Sequence, residues 1–141
     1  MPKITGGKSH AARLKHLTSA AAIESLGRAL FVAGERIQIA AQISITEGAV
    51  SGKAHVPSAP GTPPNNDSGV LANNIETIRD PENPLRVLVS SNAPYAAVHE
   101  FGNSKLPERP YLRPAMARER KATVEAIRRA VAHIAKGGTI R

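Results

Sequence analysis

The sequence has no cysteine and no tryptophan, and its aromatic residues amount to 3% of the chain, two Phe and two Tyr. The absence of cysteine excludes disulfides and thiolate metal sites, so a reducing compartment is compatible with the chain. With so few aromatic rings, any core has to be built from Ala, Ile, Leu and Val. A chain of 141 residues fits one domain. A domain of that size buries about 68–70% of the surface its unfolded chain exposes. A core of small aliphatic side chains is thin for one self-sufficient globule, and burial against neighbouring copies would thicken it. Also missing are a run of about 18 apolar residues and the apolar stretch and cleavage site of a secretory signal. The expectation is a protein with no membrane association, made in the cytoplasm.

Acidic residues are scarce and unevenly placed. The formal charge is +8, with 19 Lys and Arg against 11 Asp and Glu. Residues 1 to 17 carry four basic and no acidic side chains, and residues 113 to 141 carry eight basic and two acidic; the two ends therefore hold +10 and the middle −2. Such a distribution favours polyanions, or simply reflects solvated Lys and Arg faces, and says nothing of fold.

The first eight residues, with Gly6 and Gly7, read as a flexible arm. A short helix is expected from Ser9 to Leu17, with Ser9 as its cap and Leu14 and Leu17 on one side. A long helix is expected from Ser19 to Ile45, because Ile23, Leu26, Leu30, Ala33, Ile37 and Ala40 recur at spacings of three and four, with Arg28, Glu35, Arg36 and Gln42 mostly off that stripe. Gly27 and Gly34 weaken a helix by about 1 kcal/mol each relative to Ala, and they allow another backbone to come close. Residues 48–69 hold Gly48, Gly52, Pro57, Pro60, Gly61, Pro63, Pro64 and Gly69 with no apolar period. This reads as an extended Pro/Gly-rich loop, an arm reaching a partner.

Two strands are expected next, Val70 to Arg79 and Leu85 to Ser91, joined as a hairpin through Asp80, Pro81, Glu82, Asn83 and Pro84. In the second, Leu85, Val87 and Val89 alternate with Arg86, Leu88 and Ser90. A short helix follows over Pro94 to Phe101, stopped by Gly102, then a loop over 103–110. The last helix is expected from Tyr111 to Lys136, with Val124, Ile127, Val131 and Ile134 as its apolar stripe and Gly137 and Gly138 as its stop. The fold class is thus α+β, a single domain over 1–141: a long N-terminal helix and a C-terminal helix packed on a small antiparallel sheet.

Sites of chemistry can be sought by spacing. His99 and Glu100 begin the zinc-protease pattern H-E-x-x-H, which needs a second His four positions on so that both ligands share a helix face; position 103 is Asn. The histidines at 10, 16, 55, 99 and 133 show no other ligand spacing. Gly7-Lys8-Ser9 copies the end of a phosphate loop, but Pro2 stands where its first Gly belongs. Gly48 to Lys53 is one residue short of the same motif, with Ala54 in place of the metal-binding hydroxyl. No G-x-S-x-G elbow occurs. The reading is a protein that is no enzyme and uses neither a cofactor nor a metal.

Tyr95-Ala96-Ala97-Val98-His99-Glu100-Phe101-Gly102, followed by Pro107-Glu108-Arg109-Pro110-Tyr111-Leu112-Arg113-Pro114-Ala115, resembles the signature of the phage tail-completion family, the head-tail joining proteins of long-tailed phages. Upstream, Pro60-Gly61-Thr62-Pro63-Pro64, then Asp67-Ser68-Gly69-Val70-Leu71 and Ile75, looks like that family's G-x-P-P segment and Thr-Gly-x-Leu step. Ser68 stands in place of the usual Thr, and the Pro-rich insert is longer than the common pattern. With the two long helices, the likeness spans nearly the whole chain in order. A related family of contractile-tail morphogenesis proteins shares the Tyr-Ala-x-x-His-x-Phe-Gly and Pro-x-Arg-Pro steps.

The resemblance implies a virion protein at the head–tail junction, present in the host cytoplasm during assembly. It implies a homo-oligomer, typically a hexameric ring, between head-closure proteins and tail terminator or tail tube proteins, with passing contact with genomic DNA and no membrane. It marks Gly69, Leu71, Tyr95, His99, Glu100, Phe101, Gly102, Arg109, Pro110, Tyr111, Leu112, Arg113 and Pro114 as packing and subunit-contact residues. Read physically, Tyr95, Val98 and Phe101 share a helix face that can anchor to the long helix. Glu100, among apolar neighbours, needs Arg109 or Arg113 as a partner. Tyr111 and Leu112 would dock the last helix. Two alternatives stand beside this reading. One is a tail terminator ring; the other is a nucleic-acid-binding protein whose DNA-facing residues are Arg118, Arg120, Lys121, Arg128 and Arg129.

Overall fold

The structure is a computed structural model in which residues 5–141 are described. The elements run α1 (Gly7–Leu17), α2 (Ala20–Thr46), a 3-10 turn (Gly52–Ala54), α3 (Val70–Asn73), β1 (Ile75–Arg79), β2 (Val87–Ser91), α4 (Ala96–Phe101) and α5 (Leu112–Ala135). The fold is α+β, with the two long helices and a two-stranded antiparallel sheet of order β1-β2.

Helix α2 is the spine. Ser19 caps it, its hydroxyl oxygen accepting the Ala22 N–H at 3.2 Å while its O–H donates to the His16 carbonyl at 2.7 Å. Both α5 and the hairpin pack along it. The hairpin register pairs Ile75 with Ser91, Thr77 with Val89 and Arg79 with Val87, so these six side chains share the face turned to the helix. There the glycines of α2 admit them. A Cβ on Gly34 would lie 2.7 Å from Thr77 Cγ2 and 2.9 Å from Val87 Cγ1, and one on Gly27 would lie 2.7 Å from the Pro84 carbonyl oxygen. Polar links flank that close approach: Thr77 Oγ1 donates to Gln38 Oε1 at 2.8 Å and Arg79 Nη1 to Glu24 Oε1 at 3.1 Å.

Gly34→Ala should therefore lower stability despite its gain in helix propensity. The β-branched Thr77 and Val87 have few rotamers in which to retreat, and overpacking of this kind costs about 1–3 kcal/mol. Thermal unfolding of the variant should show a midpoint several degrees lower.

The core sits at one end of the spine. Ala41, Ile45, Leu71, Ala72, Ile75, Ala93, Ala96, Tyr111 and Ala115 form it, backed by Ile37, Ala40, Val89 and Leu112. Among the described residues, eight of the 13 buried hydrophobic side chains are alanine. Each contributes little more than one methyl group, so the core is as thin as the composition implies.

Several expectations are corrected by the packing. Of the N-terminal arm, residues 1–4 lie outside the described residues, and Gly7 and Lys8 already belong to α1, which starts after Gly6 (φ 94) with no side-chain cap from Ser9. The strand expected from Val70 splits: Leu71 and Ala72, adjacent in sequence, are both buried, which a strand cannot do against one surface but the turn of α3 can. Leu85 and Arg86 fall in the connection before β2. In α5 half of the expected stripe turns inward, Ile134 being buried and Ile127 half-buried, whereas Val124 and Val131 are exposed and the small Ala115 and Ala130 are buried instead. The 48–69 segment is irregular but not extended away from the body. Pro64 is buried, Asn66 N–H donates to the Ile45 carbonyl at 2.9 Å and Gly61 N–H to the Glu108 carbonyl at 2.9 Å.

Candidate functional site

Helices α4 and α5 meet over the core at a joint built around one carboxylate. Glu100 lies in the last turn of α4 with only 4% of its surface exposed. Its Oε2 accepts the N–H groups of Tyr111 and Leu112 at 2.9 and 3.0 Å, and its Oε1 accepts Arg113 N–H and Nε–H at 3.0 and 2.9 Å. The first turn of any helix leaves N–H groups without intrahelical partners, and a negative charge there is favoured by the helix dipole. Glu100 thus caps α5 from a separate helix. Pro114 in that same first turn needs no N–H partner.

Burial alone would raise the Glu100 carboxyl, yet the Tyr111, Leu112 and Arg113 N–H groups and the Arg113 guanidinium together hold it below its ordinary value. Arg113 completes the joint: its Nη2 donates to the Glu100 carbonyl at 2.6 Å and to Glu108 Oε2 at 2.8 Å, and its guanidinium lies 5.1 Å from the Phe101 ring centroid. Of the two arginines open to Glu100, Arg113 is the partner. Arg109 instead donates from Nε to the Ser58 carbonyl at 3.1 Å and from its backbone N–H to the His99 carbonyl at 2.6 Å. This ties the Pro-rich segment to the α4–α5 joint.

Gly102 closes α4 at φ 69, ψ −179, its N–H donating to the Val98 carbonyl at 2.8 Å. A Cβ there would lie 2.7 Å from the Glu108 nitrogen and 2.9 Å from the Leu106 oxygen. The loop that passes so close is shaped by Asn103, whose Oδ1 accepts the Lys105 and Leu106 N–H groups.

The expected anchoring of α4 through Tyr95, Val98 and Phe101 is not what forms. Tyr95 is 38% and Phe101 66% exposed, and the buried contacts come from Ala93 and Ala96. The aromatic anchor is Tyr111, 1% exposed, whose phenol is raised above its ordinary value by burial, a Ser91 hydrogen bond opposing and the Glu100 charge adding to the rise. Leu112 packs on the core beside it, Leu71 is buried within it, and Gly69 (φ 80) starts α3. Pro110 is half-buried just before the joint. Arg118, Arg120, Lys121, Arg128 and Arg129 are all exposed.

Beside the joint lies a cleft of about 300 Å³ lined by Ile45, His55, Asp67, Ser68, Tyr95 and His99, among others. Tyr95 and His99 meet edge to face at 5.4 Å, and burial, with the Arg109 charge, holds the His99 imidazole below its ordinary value. The facing groups are already engaged: Asp67 Oδ1 accepts the Gly52 N–H at 2.8 Å and His55 Nδ1 lies 3.0 Å from the Val50 carbonyl. Among the described residues no three His, Asp or Glu side chains gather as metal ligands, and no helix is long and apolar enough to cross a membrane.

Asp80 was legible only as a turn residue. It is 7% exposed, accepts the Glu82 and Asn83 N–H groups at 2.8 and 3.1 Å, and pairs with Arg86. Those hydrogen bonds, the Glu82 one foremost, outweigh burial and hold its carboxyl low. An Asp followed two and three residues on by free N–H groups is the available signal for such a turn. Comparison with family models, curated proteins and solved structures matches this chain to none of them.

Proposed function

We propose that the chain is a non-enzymatic structural protein of a phage or phage-like particle, a subunit of a ring in the neck that joins head to tail. The observation that carries this reading is how its motif residues are used. Glu100, Gly102, Arg109, Tyr111 and Arg113 spend their hydrogen bonds and backbone geometry on locking α4, the Pro-rich segment and α5 together. A residue set of this kind supports a rigid building block rather than a reaction centre.

Assembly with further copies is supported by what the fold leaves uncovered. On α2, Val32, Ile39 and Ile43 are about half exposed at spacings of seven and four, with Ile39 and Ile43 beside the Arg36–Glu119 ion pair at 3.3 Å, and on α5 Met116 and Val124 are exposed around Ile37. On the outer face of the hairpin the paired Ile78 and Leu88 are also exposed. Apolar surface of this extent on an alanine-built core favours burial against neighbours. We assign that role to second copies of the chain, with the head-closure and tail-tube sides of the neck above and below the ring.

Two measurements test the reading. Particles assembled in a host supplying every component except this chain should separate into full heads and finished tails, and intact particles would overturn it. A chain carrying Ile39→Asp and Ile43→Asp should keep its far-UV circular dichroism and yet lower the titre of complemented particles by about 100-fold or more, since charges at a buried interface cost several kcal/mol. Full complementation would remove the α2 face from the ring contact.

A further inference from the structure

The exposed cations of α5 and α1 form a surface that the joint does not use and that adjoins the apolar face at Val124, beside Lys121 and Arg128. Arg118, Lys121, Arg128, Arg129 and Lys136 are all exposed. Their spacings of three, seven, one and seven place them on one side of α5. The row spans about 27 Å at 1.5 Å per residue, the length of about eight base pairs. The helix has two acidic residues, and both are engaged: Glu119 with Arg36 at 3.3 Å and Glu125 with Arg128 at 3.1 Å. Arg118, Lys121, Arg129 and Lys136 take part in none of the ion pairs among the described residues.

Helix α1 extends this surface. It contains Lys8, Arg13 and Lys15, all exposed, and no acidic residue. It buries none of its residues, yet it contacts α5. The placement follows from the tail of the chain: Arg28 Nε donates to the Ile140 carbonyl at 2.7 Å and Ile140 N–H to Ser25 Oγ at 3.4 Å. The end of α5 therefore lies by the start of α2, to which α1 is joined through Thr18 and Ser19. A helix that contributes charge and almost no core is hard to explain by folding stability.

We propose that this face of α5, with α1 at its end, binds the phosphate backbone of duplex DNA independently of sequence. Single strands are disfavoured as the ligand because neither helix carries a Phe, Tyr or Trp on which an unpaired base could stack. Phosphate contact needs only a row of cations, and its signature is counterion release. The surface stands on its own charge pattern: the ring can fail while this holds, and the reverse.

The experiment is fluorescence anisotropy of the full chain with a labelled 20-base-pair duplex between 50 and 200 mM NaCl. The four unpaired cations of α5 on phosphates alone give a slope of log K against log salt of about −4, a loss of about 250-fold over that range, and each α1 cation in contact steepens it by about 1. Arg118→Gln, Lys121→Gln and Arg129→Gln together should flatten the slope by about 3. A control with Lys53→Gln and Lys105→Gln, exposed lysines elsewhere, should keep the original slope. Absence of binding at 50 mM, an equal loss in the control, tighter binding of a 20-nucleotide poly(dT), or displacement by poly-glutamate at the same charge concentration as competing duplex would each overturn the proposal.

Discussion

Gly102→Ala is expected to lower the unfolding free energy by about 3–5 kcal/mol, from two costs that add. At φ 69 and ψ −179 the residue occupies a region open in practice only to glycine. The new methyl would also meet backbone atoms, Glu108 N at 2.7 Å and Leu106 O at 2.9 Å. Backbone cannot step aside as a side-chain end can, particularly where Asn103 pins the loop and Arg109 N–H is bonded to the His99 carbonyl. Urea denaturation checks this, and a loss below about 1 kcal/mol would mean that the loop relaxes freely. The same variant should also release Ser58 from Arg109, so the 48–69 segment should become sensitive to protease while the helices stay protected.

Glu100→Ala removes the acceptor for the N–H group of Tyr111, just before α5, and for those of Leu112 and Arg113 in its first turn, at a buried to half-buried site. At about 1 kcal/mol for each lost bond the expected destabilisation is about 3 kcal/mol. Glu100→Gln keeps the shape and one acceptor oxygen and should cost less. The pH dependence separates charge from shape. Because the folded-state carboxyl sits below the ordinary glutamate value of 4.5, the unfolded chain takes up protons first as pH falls. The stabilisation is therefore complete above that value and is lost as pH falls through the folded one. The stability gap between the unaltered protein and Glu100→Gln should be constant near neutral pH and close in acid. His99 acts at milder acidity with the same sign: held below 6.5 chiefly by burial, it binds its proton more readily in the unfolded chain, so stability declines as pH drops below that value. Effects of Gly102 and Glu100 substitutions should not add, since both loosen the same joint.

The joint was only half legible. The need of Glu100 for a partner follows from its apolar neighbours, and an arginine within reach is the natural answer. That the carboxylate also receives three backbone N–H groups from the next helix cannot be seen in sequence, because nothing local says that α4 ends where α5 begins in space. The same is true of the two tyrosines. Tyr95 lies on an apolar-looking helix face and Tyr111 at a helix start, yet Tyr111 is buried and Tyr95 is half outside.

Local spacing by itself determined what local spacing controls. Apolar residues at three and four set the length of α2, alternation of Val87 and Val89 set the inward face of β2, and Gly102 marked the end of α4. The charge placed at the two ends of the chain was likewise legible from residue order alone. Tertiary contact decided the rest. Gly27 and Gly34, weak points in an isolated helix, became the places where the hairpin touches α2, and Ala115 and Ala130 with Ile134, rather than Val124 and Val131, became the buried side of α5. The physical reason is one: a helix or strand period identifies a face, but which face is covered depends on how closely another element can approach, and that distance is set by side chains far away in sequence.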